Sequence, residues 1–297
     1  MAKIIECVPN ISEGRNNIII EQIVDTIRDS AGVKLADNSS DVNHNRTVIT
    51  FFGDPESVEN AVVKLVAKSV ELIDLTKHKG EHPRMGAVDV IPFIPIKNIS
   101  MEEAVELSKR VAERIWLDFG LPVFMYENSA TAPHRVNLAA IRKGQFEGMA
   151  EKVLLDEWKP DYGDLNIHPT AGVVAVGARK LLVAFNINLS TSDVSIAGEI
   201  AKIIRESNGG FDGVKSIGIK LESNNTAQVS INLTDITKTP LYRIVETVRF
   251  EASRFGVSIT GTEIIGLSPA SVLIESAMYY LQLTDFRGVK QTIEYYL

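Results

Sequence analysis

The sequence predicts an α/β (α+β) chain made of two ferredoxin-like halves, each running β-α-β-β-α-β. Three observations carry this prediction. Hydrophobic period switches between 2 and 3.6 in the same order twice, cap or breaker residues bound the helical stretches, and a glycine- and proline-rich segment separates the two runs. At 297 residues, 45% hydrophobic and 23% charged, the chain has room for two packed cores.

In the first half, Ile4 to Val8 reads as an apolar strand stopped by Pro9. A helix follows from about Asn16 to Arg28, with Ile19, Ile20, Ile23 and Ile27 on one stripe. Val33–Ala36 and Thr47–Phe52 read as strands, separated by the polar segment DNSSDVNHNR. The second helix, Pro55 to Ile73, places Val58, Ala61, Val62, Leu65, Val66 and Val70 at helical spacing, and Val88–Ile94 closes the unit. A further helix opens on the capping box Ser100-x-x-Glu103, and an added strand covers Val123–Tyr126.

The second half repeats the order. Leu181–Leu189 is a strand and Ser192–Glu206 a helix ended by Gly209-Gly210. Val214–Leu221 and Ala227–Leu233 form a hairpin over Glu222-Ser223-Asn224-Asn225. Pro240–Phe255 is a helix with Thr239 as N-cap and Pro240 at the first position, followed by the strand Val257–Thr260 and a helix from Pro269 to Leu281. The boundary falls in Trp158 to Arg179, giving domains 1–178 and 179–297.

Alternation in the second half sorts its strands into two faces. Val183, Phe185, Ile187 and Leu189 oppose Asn186 and Asn188; Ala227, Val229, Ile231 and Leu233 oppose Gln228, Ser230 and Asn232. Helices of such a unit cover one face, so the amides line the other. Two readings stand side by side: a solvated sheet face, or a ligand-facing or sheet-facing surface that favours short neutral hydrogen-bonding groups.

Composition excludes several function classes. Net charge is -7, from 31 basic and 38 acidic residues with no Lys/Arg run, which argues against nucleic acid as a partner. No stretch reaches the roughly 18 apolar residues of a membrane span, and the opening MAKIIECVPNISEGR lacks a secretory apolar core. With Cys7 as the single cysteine, the expectation is a cytoplasmic protein without an internal disulfide.

The densest chemistry is Lys77-His78-Lys79-Gly80-Glu81-His82-Pro83-Arg84-Met85-Gly86. His78-x-x-Glu81-His82 matches the H-x-x-E-H pattern of zinc peptidases, which needs both imidazoles on one helical face. Gly80 weakens such a helix and Pro83 pushes His82 towards extended backbone, so no metal is expected. A loop of solvated charges suits Lys77, Lys79 and His78. The stiff remainder, Gly80-x-His82-Pro83-x-x-Gly86, suits a positioned general base, because imidazole titrates near neutrality.

VPNISEG, the NRT at Asn45–Thr47, HKGEHPRMGAVDVIPFIP at 78–95 and GARKLLVAFNINL at 177–189 strongly resemble the glutamate formiminotransferase family, in its stand-alone form; GLSP at 266–269 and the terminal IEYYL echo it. The resemblance implies transfer of the formimino group of N-formimino-L-glutamate to N5 of tetrahydrofolate, with the sheets of two halves flanking a ligand cleft. It implies that His82 is the catalytic acid/base. It also places folate on Gly163, Asp164, Leu165, Asn166, Ile167, His168, Pro169, Thr170, Ala171 and Gly172, of which Gly163, Pro169 and Gly172 fit the family pattern. Family members often carry a second acid two residues beyond Asp37, where this chain has Ser39. Candidate substrate contacts are Asp37, Asn45, Arg46, Glu81, Arg84, Arg179, Asn186 and Asn188, the arginines for carboxylates and the acids for an amidinium. The expected setting is a cytoplasmic homodimer whose product passes to a separate cyclodeaminase. The competing functions are a formyl transferase working on 5-formyltetrahydrofolate or N-formyl-glutamate, a folate carrier without chemistry, and a zinc hydrolase.

Overall fold

The first strand breaks at Pro9, which lacks a backbone N–H, and resumes one residue later. This leaves β1 (Ile4–Cys7) and β2 (Asn10–Ile11) end to end between the same two neighbours, β4 (Arg46–Gly53) and β5 (Val88–Lys97). The computed structural model describes residues 2–221 and 225–296, and the chain divides into Met1–Arg179 and Lys180–Leu297.

In the first unit, α1 (Asn17–Arg28) starts where the Asn16 side chain accepts from the Ile18 and Ile19 N–H groups, and it buries Ile20, Ile23, Val24 and Ile27. Helix α2 (Pro55–Leu72) is capped by Asp54 and buries Val58, Ala61, Val62, Leu65 and Val66. Helix α3 (Met101–Phe119) has both halves of the Ser100/Glu103 capping box and ends on Gly120 in the left-handed region. All three helices pack on one sheet face, against Ile5, Cys7, Ile49, Phe51, Ile91 and Phe93. Each of these Ile and Phe side chains contributes about 1.5–3 kcal/mol on burial.

With β3 (Val33–Asp41), the strands lie in the order β3, β4, β1/β2, β5, which is the ferredoxin-like arrangement. Two parallel strands extend it past β5: β7 (Val174–Ala178) and then β6 (Val123–Met125). Strand β7 corrects the expectation of a boundary throughout 158–179, since it is buried between two neighbours. The other face of the added strands is covered by α4 (Leu138–Arg142) and α5 (Gln145–Lys152), through Phe124, Tyr126, Ala175, Ile141 and Met149. Among the described residues of this unit, no helix packs on the remaining face, over β3, β4 and β1/β2.

The segment DNSSD, expected between strands, is itself strand. A bulge at Ala36 sets Leu35 opposite Phe51 but Asp37 opposite Thr50, Ser39 opposite Val48 and Asp41 opposite Arg46. Val33 and Leu35 thus face the helices while Asp37, Ser39 and Asp41 share the bare face with Arg46, although all five positions are odd-numbered. Polar strand residues on an uncovered face need no apolar alternation, which is why propensity alone reads them as loop.

The second unit contains β8 (Val183–Leu189), α6 (Val194–Ile204), β9 (Val214–Leu221), β10 (Thr226–Leu233), α7 (Leu241–Arg254), β11 (Ile259–Ile265) and α8 (Ala270–Tyr280). Its antiparallel sheet runs β11-β8-β10-β9, again ferredoxin-like. The expected apolar set, Val183 to Leu189 and Ala227 to Leu233, packs on α6 and α7. Of the expected hairpin turn, Glu222, Ser223 and Asn224 lie outside the described residues. Thr239 does not cap α7: the helix starts at Leu241 with Pro240 at the cap, and the Thr239 hydroxyl donates to the Asp212 carbonyl at 2.8 Å.

Candidate active site

The turn joining β3 to β4 is held by Asn45, buried and in the left-handed region with φ 50°. Its Oδ1 accepts from the Gly14 N–H at 2.9 Å and its Nδ2 donates to the Lys79 carbonyl at 3.0 Å. The side chain expected to touch substrate is therefore a bracket between three chain segments. Gly80 packs directly on this turn: a Cβ there would stand 2.4 Å from the His44 carbonyl oxygen.

No helix forms between Ile73 and Ala87, so His78 and His82 do not share a helical face. The solvated His78 expected from its lysine neighbours is corrected. It is half-buried, Nε2 lies 2.9 Å from the Asn45 carbonyl and Nδ1 accepts from Arg84 Nε at 3.1 Å. An Nδ1 that accepts forces the proton onto Nε2, which then donates to Asn45. Burial, with Arg84 adding to it, holds the His78 imidazole below its usual range.

Arg84 is buried, and all five of its N–H groups are engaged. Nη1 and Nη2 grip Glu147 at 2.9 and 2.6 Å, Nη1 also reaches Gln145 Oε1, Nη2 the His78 carbonyl, and Nε the His78 ring. The expected carboxylate contact at Arg84 is thus replaced by an internal role. The loop's far side is tied by the Met85 N–H donating to Asp89 Oδ1 at 2.9 Å and the Phe146 N–H donating to the Arg84 carbonyl.

Between these anchors stands His82, half-buried, with its ring centroid 6.4 Å from that of His44 in an edge-on arrangement. Burial first, then the guanidinium groups of Arg46 and Arg142, push its imidazole down to about 3. Its neutral form is the resting one at physiological pH. The free imidazole titrates near 6.5, so this group leaves stability intact above about 6.5 and subtracts from it as pH falls from there towards 3. Melting temperatures of His82→Gln should accordingly decline less than wild type between pH 6.5 and 4; parallel declines would refute the assignment.

Arg46 is half-buried on the bare sheet face opposite Asp41, and its Nε makes no hydrogen bond among the described residues. Burial, followed by repulsion from Arg142, lowers its affinity for its own proton. Arg142 sits on α4, held by Asp89 through contacts of 2.7 Å at Nε and 2.5 Å at Nη2. The Lys152 ammonium fixes the end of α4 in turn, donating to the carbonyls of Ala140, Ile141 and Lys143. Neither Asp89 nor Arg142 was singled out from sequence. The signal was present only as an acid inside GAVDV, whose partner lies 53 residues away.

The other candidates disperse. Glu81 is exposed beside His82, its N–H donating to the Asn43 carbonyl; Asp37 is half-buried on the same sheet face as Arg46. Arg179 follows the C-terminal end of β7, whereas the His82 loop precedes the N-terminal end of parallel β5, so these two lie at opposite strand ends. There Arg179 opposes the effect of burial, which raises the Glu6 carboxyl. Asn186 and Asn188 are half-buried on the face of the second unit's sheet opposite α6 and α7. Gln228, buried, donates to Asn188 Oδ1 at 2.7 Å, and Asn188 donates to Glu263 at 3.3 Å.

The stretch 163–172 belongs to the first unit. Its second half is a tight loop closed by the His168 N–H to Gly172 carbonyl bond and its reciprocal, with His168 Nδ1 accepting from the Ala171 N–H. Gly172, at φ 70°, bridges Gly86, and a Cβ on it would stand 2.2 Å from the Met85 carbonyl oxygen. This places residues 168–172 flat against the chain leaving His82. Asp164, Leu165 and Asn166 are exposed.

Two family models match the chain. The N-terminal subdomain of the formiminotransferase domain covers residues 4–179, and the formiminotransferase domain covers residues 184–293. A glutamate formimidoyltransferase of Streptococcus pyogenes serotype M1 is 57% identical over 297 residues, 100% of this chain and 99% of the relative. One of Thermoplasma acidophilum is 44% identical over 285 residues, 95% of this chain and 94% of the relative. The formimidoyltransferase-cyclodeaminase of Mus musculus is 41% identical over 286 residues, 94% of this chain but 53% of that longer protein.

Proposed function

The chain belongs to the formiminotransferase family, and from that premise we propose that it transfers the formimino group of N-formimino-L-glutamate to N5 of tetrahydrofolate, with His82 moving the proton. The observation that carries the reading is a neutral imidazole that feels the charges of Arg46 and Arg142, on a loop tied at both ends. The donor's amidine carbon is attacked by the N5 lone pair, forming the new C–N bond. N5 gives its proton to His82, and the tetrahedral intermediate expels the glutamate nitrogen, which takes that proton back. Charge and atoms balance without an external reagent.

A base as weak as the unliganded His82 suits this step poorly, and the donor itself corrects that. Its carboxylates, settling on Arg46, offset the part of the depression that comes from this guanidinium, second to burial, and make the imidazole a stronger base. Asp37 and Asp41 share the Arg46 face and supply negative charge for the amidinium in the absence of an acid at Ser39. Folate lies along 163–172, held against the His82 loop by the Gly86–Gly172 bridge. The reading extends to a cytoplasmic homodimer whose product is consumed by a cyclodeaminase.

Turnover of N-formimino-glutamate and N-formyl-glutamate by the purified protein, measured side by side with tetrahydrofolate, tests the assignment; turnover of the formyl compound alone would overturn it. Arg46→Gln should raise the donor KM about 10- to 10²-fold, the equivalent of the about 1.5–3 kcal/mol of a hydrogen bond to a charged group. Folate Kd should stay within twofold. An unchanged donor KM removes Arg46 from the site.

A further inference from the structure

We propose that His78 is a positioning residue for the transfer reaction: its neutral ring ties the 42–45 turn to Arg84, and protonating it dismantles the seat of His82. This inference rests on the formiminotransferase reading for the identity of the reaction but not for the geometry.

The ring is used at both ends. Nε2–H donates to the Asn45 carbonyl in the turn before β4, and Nδ1 accepts from Arg84 Nε in the segment leaving His82. His82 sits between Lys79 and Glu81, pinned to the 42–45 turn by Asn45 and Asn43, and Arg84, pinned to α5 by Glu147. His78 joins these two sets of anchors side chain to side chain. A neutral imidazole satisfies both contacts in one tautomer only. An imidazolium carries N–H on both nitrogens, so its Nδ1–H would face Arg84 Nε–H, donor against donor and cation against cation.

The charges around the ring set the direction of the response. Arg84 from the same loop and Arg15 from the segment before α1 oppose protonation; Glu13 from that segment and Glu147 from α5 favour it; His82 adds a repelling charge when it is protonated. Burial outweighs the acids, so the ring stays neutral at neutral pH and the junction opens on the acid side. On this account kcat should fall at low pH partly because protonated His78 opens the seat of His82, in addition to protonation of His82 itself.

The test uses the full chain and two variants. His78→Gln, which cannot titrate, should lower kcat about 10- to 10²-fold, the cost of a misplaced catalytic group, with KM for both substrates within twofold. Relative to its own plateau it should lose less activity at acid pH than wild type. Arg84→Lys, which keeps the charge but removes the Nε donor, should reproduce the kcat loss if His78→Gln fails to fold. Nitrogen-15 NMR of the wild-type histidine rings should show His78 protonated on Nε2 and bare on Nδ1, and the His82 titration should move in His78→Gln. Unchanged kcat and acid limb in the variant would overturn the proposal, as would an Nδ1–H tautomer or an unmoved His82 titration. Absence of turnover in wild type would sink the functional reading instead, and the NMR arms would still decide the geometry.

Discussion

His82→Ala is expected to lower turnover about 10²- to 10⁴-fold, the range of a positioned proton-transfer group, or about 3 to 5 kcal/mol at 1.36 kcal/mol per decade. Two features of the site predict that the loss falls on kcat. The ring is neutral in the unliganded protein, so removing it deletes no charge that would hold a substrate anion. The chain on either side is fixed by Asn43, Asn45, Arg84 and Asp89 rather than by the imidazole, so the loop keeps its path without it. Folate Kd, measured by fluorescence titration, should change less than threefold. A large rise in Kd with little change in kcat would make His82 a ligand contact instead of a base.

The second large effect concerns stability. Asp89 is 1% exposed, and its carboxylate holds both the Met85 N–H and the Arg142 guanidinium. Asp89→Ala strands a mostly buried cation and a buried donor together, and breaking a buried pair from one side costs about 3 to 5 kcal/mol. Urea denaturation should show a loss of unfolding free energy of that size, with a smaller one for Asp89→Asn, which keeps an acceptor. Midpoints within 0.5 M of wild type, at a slope of about 1–3 kcal/mol per molar for urea, would mean that the Arg142–Asp89 pair is solvated. Arg142 is one of the two guanidiniums that depress His82, so the same variant should also disturb its titration.

Elements whose local signals agree with their packing were legible. The helices from 17, 55 and 101 carry side-chain caps and one apolar stripe each, and the strands of the second unit alternate cleanly. Strand β7 escaped because Val174–Ala178 is buried on both faces and built partly from Ala and Gly, so it shows neither alternation nor strong propensity. The GEHPRMG motif marked the candidate site but not the contacts within it. Nothing in a sequence tells whether Arg84 points towards solvent, a ligand or Glu147, and His78 looked solvated because its lysine neighbours are. Asp89 and Arg142 meet only through the fold.

The bulge at Ala36 gives that residue an unusual kind of importance. Its side chain is exposed, so its chemical identity matters little, but its presence sets the parity of the strand. Remove it, and either Val33 and Leu35 leave the helices or Asp37, Ser39 and Asp41 leave the face that holds Arg46. Relatives with a different count of residues before the 42–45 turn therefore have to be matched by which partner on β4 each residue faces, Thr50, Val48 or Arg46. An acid that looks misplaced by one in the chain then stands in the same row of the sheet.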